Sequence, residues 1–66
     1  MNNLLREKRE EKGLSQVRLG LLAGLACNLI SDFELSKRVP WPRARRALAR
    51  VLKCSERELF PSQDNN

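Results

Sequence analysis

Residues 14–34 run L-S-Q-V-R-L-G-L-L-A-G-L-A-C-N-L-I-S-D-F-E, an order that dictates two short helices hinged at Gly24. Ser15 has an oxygen that can cap the first helix. Leu19, Leu22 and Ala23 give that helix an inner stripe, and Gly24 supplies a residue that tolerates positive φ where the chain must turn sharply. Leu25 then re-enters the core. Ile30 and Phe33 follow at the three-residue spacing that buries one face of a second helix, which leaves Cys27, Asn28, Leu29, Ser31 and Asp32 pointing elsewhere. That outer face is free to meet a partner.

Gly20 stands four residues before the hinge, where the two helices cross and only a very small side chain fits. With these residues in view, the segment resembles the Cro/phage-repressor type of helix-turn-helix regulators, the XRE family. Leu14-Ser15-Gln16, Gly20, Gly24 and Ile30 stand at the family's places. The likeness continues through Glu34, the basic loop Ser36-Lys37-Arg38-Val39-Pro40, a helix ending Ala49-Arg50-Val51-Leu52, and Ser55-Glu56-Arg57-Glu58-Leu59-Phe60. It thus implies an all-α, five-helix, lambda-repressor-like domain that binds double-stranded DNA and regulates transcription.

The remaining elements fit that outline. Helix 1 is expected to begin after Asn2 or Asn3 and to stop at Gly13, with Leu5 as its inward anchor. Helix 2 covers about 16–23 and helix 3 about 27–35. Helix 4 should start near Pro42, a residue suited to the first helical position, and turn Ala44, Ala47 or Leu48, Val51 and Leu52 inward. Ser55 and Glu58 form a capping box for a last short helix. Residues 1–61 are therefore read as the DNA-binding domain and 62–66 as a disordered polar tail.

Size and charge exclude most other functions. Sixty-six residues make one small domain near the lower limit for a single apolar core. No stretch approaches the roughly 20 apolar residues of a membrane helix, and the polar N-terminus carries no visible secretory signal. Cys27 and Cys54 lack metal-ligand spacing in a chain without histidine, so neither a metal nor a cofactor is expected, and the thiols suit the cytoplasm. No convergent catalytic set or ligand pocket is evident, so an enzyme or small-molecule binder is not expected. The net charge of +5 is unevenly placed: residues 37–53 hold Lys37, Arg38, Arg43, Arg45, Arg46, Arg50 and Lys53 with no acid. Such a cluster attracts a polyanion.

The resemblance assigns roles residue by residue. Helix 3 becomes the reading helix, with Cys27, Asn28, Leu29 and Asp32 facing the major groove. Asn28 can pair bidentately with adenine, and Leu29 meets either a thymine methyl or a partner chain. Asp32 replaces a neutral or basic residue of the family, and either accepts from cytosine N4 or pairs with Lys37 or Arg38. Ala26 stands where a capping hydroxyl is common. Gln16, at the start of helix 2, is implied to touch phosphate and to orient a neighbouring reading residue, with Ser31, Lys37, Arg38, Arg43, Arg45 and Arg46 as further phosphate contacts. Arg50 and Lys53 are read as solvent charges. Trp41 either seals the loop against the core or contacts sugar or base. Arg9 and Glu34 are expected to form a partly buried ion pair. Leu52, Leu59 and Phe60 are expected to exceed what one small core consumes and to serve a homodimer interface on a palindromic operator. The alternative is a protein-interaction module of the same fold, antitoxin- or antirepressor-like, with weak or no specific DNA binding.

Overall fold

The computed structural model describes residues 3–61, which form five helices: α1 (Leu5–Glu11), α2 (Gln16–Ala23), α3 (Cys27–Glu34), α4 (Pro42–Leu52) and α5 (Glu56–Leu59). The tail expected over 62–66 lies outside the described residues, as does Asn2. Asn3 is the polar residue that starts α1: its Oδ1 accepts from the Leu5 amide at 3.0 Å, and its Nδ2 donates to the Phe33 carbonyl at 2.8 Å. The helix N-cap itself is Leu4, one residue later than expected and without a side-chain cap, so Asn3 holds the first amide of α1 from just outside the helix and ties it to α3.

The core is a single cluster that includes Leu5, Leu19, Ile30, Phe33, Ala44, Leu48, Leu52, Leu59 and Phe60. Each large side chain removed from water contributes about 1.5–3 kcal/mol before entropy is counted. α2 packs against both α3 and α4, α4 also carries α5, and α1 rests on α3. The backbone closes the ring, because the Leu4 amide donates to the Leu59 carbonyl at 3.0 Å.

Two corrections concern apolar side chains. Leu22 is not part of the inner stripe of α2: it is 55 % exposed, while Leu19 and Gly20 face inward. One residue per turn suffices here because α2 is wedged between two neighbours. Leu52, Leu59 and Phe60 are only 2 %, 0 % and 3 % exposed, so the chain's own core consumes them and they offer a partner no surface. Helix 4 accounts for this, since it spends small Ala44 and Ala49 on the inside and leaves room for the large residues of α5.

The hinge is built from backbone. Gly24 adopts φ +75°, and its amide and that of Leu25 both donate to the Gly20 carbonyl. A Cβ on Gly20 would collide with the Leu25 carbonyl oxygen, so the close approach is to the turn that feeds α3 rather than to a side chain of that helix. α3 and α4 then end on left-handed residues, Ser36 and Lys53. After Ser36 the Lys37 amide returns to the Asp32 carbonyl at 2.8 Å, which swings the basic loop back beside α3.

Candidate nucleic-acid interface

α3 presents Cys27 and Asn28 exposed in its first turn, and its cap residue Ala26 makes no side-chain hydrogen bond. This turn stands at the positive end of the helix dipole. Leu29 departs from the expectation of a groove-facing side chain: it is half-buried and packs against the core, so only part of it is available outside. Asp32 is also half-buried, and its Oδ2 lies 3.6 Å from Arg38 Nε. Of the two readings left open for this acid, pairing with the loop is the arrangement present in the free protein.

At the other end of α3, Glu34 is a hub. Arg9 Nε reaches Glu34 Oε2 at 2.6 Å and Arg9 Nη2 reaches Oε1 at 3.3 Å, a forked contact, while Arg9 Nη1 donates to the Leu14 carbonyl at 2.8 Å. The carboxylate's hydrogen bond holds the Arg9 guanidinium above its ordinary pKa, against the opposing effect of burial. Gln16 Nε2 donates to the same Glu34 Oε1 at 3.1 Å. The Gln16 amide nitrogen is therefore held by the end of α3 in the free protein. Ser15 Oγ caps α2 by accepting from the Arg18 amide at 3.0 Å, which keeps Gln16 at the first helical position.

Gln16 and Ser31 line a common depression of about 350 Å³ together with Arg6, Arg9, Glu34 and Leu35. Arg6 had not been singled out from the sequence; a basic residue one turn before Arg9 on the wet side of α1 was the available signal. Its Nε lies 3.1 Å from Glu10 Oε2 on the surface.

The basic segment divides into free and committed side chains. Lys37, Arg43 and Arg46 are exposed and form no ion pair among the described residues. Arg45 does not belong with them: its Nε lies 3.2 Å from Glu56 Oε1 and its Nη1 donates to the Pro40 carbonyl at 3.3 Å. It is an internal strut joining α4, α5 and the loop, because position 45 lies on the flank of α4 that turns toward α5. Trp41 sets its ring edge-on to Phe33, with centroids 5.8 Å apart and planes at 75°, yet keeps part of its surface in solvent. The indole thereby locks the loop to the same residue that anchors α3.

Two short helices meeting at a positive-φ glycine, an exposed first turn on the second, and a cationic loop folded back beside it are the parts of a helix-turn-helix. The family model described as Helix-turn-helix matches residues 5–59. The chain belongs to this helix-turn-helix family, of the XRE/Cro-C1 type. It is accordingly a DNA-binding helix-turn-helix regulator with an all-α, lambda-repressor-like fold. No curated protein matches the chain significantly. None of the described helices is long and apolar enough to cross a membrane.

Proposed function

We propose that this regulator binds a specific duplex operator as a homodimer and represses transcription there. The observation that carries the reading is the exposed first turn of α3, Cys27 and Asn28, without a side-chain cap, in a chain whose Lys37, Arg43 and Arg46 are exposed and outside any ion pair among the described residues. Asn28 selects adenine through its amide, and the exposed part of Leu29 meets a thymine methyl. Lys37, Arg38, Arg43 and Arg46 contact phosphate, with Gln16 and Ser31 at the start of α2 and the flank of α3. Arg38 exchanges Asp32 for phosphate on binding, which frees the carboxylate to accept from cytosine N4.

With Leu52, Leu59 and Phe60 spent on the core, the exposed apolar side chains near the basic loop that a second copy could cover are Leu35, Val39 and the open part of Trp41. They lie on the loop next to the phosphate-binding cations, so a two-fold pairing there sets two copies of α3 about one DNA turn, near 34 Å, apart.

Selection of bound sequences from random duplexes tests the reading. A palindromic consensus is expected, with adenine preference at one position lost in Asn28→Ala at a cost of about 1–3 kcal/mol and with little change in salt dependence. Arg43→Ala should instead weaken all sequences alike and flatten the log-log salt slope by about one. If no consensus emerges and neither substitution matters, the protein-interaction alternative is the better description; one chain per operator in sedimentation removes the dimer.

A further inference from the structure

A second concave surface lies away from Cys27 and Asn28. Between the C-terminal end of α2 and α4 runs a groove of about 320 Å³ lined by Ala23, Ala47, Arg43, Arg46 and Arg50. Its floor is two methyl groups and its rim is guanidinium. Arg43, Arg46 and Arg50 recur at i, i+3 and i+7, on the face of α4 opposite Ala44, Leu48 and Leu52. All three are exposed, and among the described residues none is in an ion pair.

The counter-charge for this rim must come from another kind of molecule. Within the chain, Glu10 is paired with Arg6, Glu11 with Lys8, Glu34 with Arg9, Asp32 with Arg38 and Glu56 with Arg45, while Glu58 closes the cap on the Ser55 amide. Glu7 alone among the described carboxylates stands outside these contacts, so a second copy would have to break pairs of its own to neutralise three arginines. A nucleic-acid backbone would supply charge but has nothing apolar to set on Ala23 and Ala47. An amphipathic acidic helix supplies both: carboxylates for the rim and apolar side chains for the Ala23 and Ala47 methyls.

We propose that this groove docks an acidic amphipathic helix of a partner protein, with its carboxylates forked by Arg46 and Arg50 and its apolar side chains seated on Ala23 and Ala47. The contact needs no DNA, but it shares Arg43 and Arg46 with the phosphate contacts proposed above, so peptide and duplex should compete, and Arg50 is the rim residue that tells them apart.

The test is an NMR titration of the full chain with a synthetic peptide of about five helical turns, carrying Leu at i, i+3, i+4 and i+7 and Glu elsewhere. A scrambled peptide of the same composition and a random-sequence duplex are the comparisons. Binding should shift the amides of Ala23, Ala47 and Arg50, and the scrambled peptide should bind about tenfold more weakly. Arg50→Glu should weaken the peptide by about tenfold while leaving operator affinity unchanged, since Arg50 is outside the phosphate set. Ala47→Gln, which fills the floor without altering charge, should weaken it as well, and melting curves on both variants verify the fold. Equal binding of the scrambled peptide, shifts confined to α3 and the 37–38 loop, or a duplex that loses as much affinity as the peptide on Arg50→Glu would each overturn the proposal.

Discussion

Two carboxylates in the last turn of α3, Glu34 and Asp32, carry the same chemistry in opposite surroundings. At its C-terminal end Glu34 meets Arg9 at 2.6 Å with side chains 4 % and 11 % exposed; on its outer flank Asp32 meets Arg38 at 3.6 Å with side chains 33 % and 56 % exposed. The first pair is forked, shares Gln16 and ties α1, α2 and α3 together. The second is a single long contact in water. A buried pair that loses one partner leaves an uncompensated charge, whereas an exposed pair loses an interaction that water largely replaces. Sharing one helix, Glu34 is structural and Asp32 is available for exchange.

The largest effect that could break this contrast is Glu34→Ala, which should cost about 3–5 kcal/mol and lower the melting temperature sharply or unfold so small a domain. Added salt should not mask the loss, because the pair is shielded from counterions. Glu34→Gln should fare little better, since it leaves Arg9 without its counter-charge; full stability of that variant would show that shape alone matters at the hub.

Arg45 and Glu56 supply an intermediate point, 3.2 Å apart with side chains 24 % and 39 % exposed. Glu56→Ala should cost about 1 kcal/mol after allowance for solvent screening, a value placing it between the Glu34 and Asp32 pairs in a denaturant titration. A loss as large as that of Glu34→Ala would mean that burial does not rank these pairs.

Asp32→Ala should change stability by less than about 0.5 kcal/mol, and even that should vanish in high salt. Its consequence belongs to DNA binding. Lost selectivity at one base pair assigns Asp32 to cytosine, while uniformly tighter binding shows that it only restrained Arg38 and repelled phosphate. A large thermal destabilisation would erase the distinction between Asp32 and Glu34.

The smallest effect concerns the cysteines and carries the same contrast to neutral groups. Burial first, and the Glu58 charge after it, push the Cys54 thiol above its usual pKa, whereas Cys27 is exposed. Alkylation at about pH 8 should therefore label Cys27 well before Cys54, as mass spectrometry of the folded protein would show. Equal rates would mean that the packing of α4 against α5 opens readily.

Much of this organisation was legible in the chain. Gly24, Pro42 and the Ser55–Glu58 box mark element boundaries by local backbone chemistry, and Leu19, Ile30, Phe33 and Leu48 mark the core by period. The errors share one cause. Leu22 is read as inward, and Leu52, Leu59 and Phe60 as more apolar surface than one core consumes, because periodicity tells which residues share a face, not how much surface the neighbouring helices will cover. Arg45 was grouped with Arg43 and Arg46 because charge is visible in sequence and its partner is not. Glu56 lies 11 residues away and meets Arg45 only after α4 and α5 fold together.

The sequence by itself determined the helices, the hinge and the concentration of cations after Ser36, since each follows from the conformational preference of a residue and its immediate neighbours. Only the tertiary structure decided which cations are free, that the Gln16 amide turns to Glu34, that Asp32 faces Arg38 and that a methyl-floored groove separates α2 from α4. Those outcomes depend on distances between residues remote in the chain, and desolvation then decides which contacts hold the fold and which remain open to exchange.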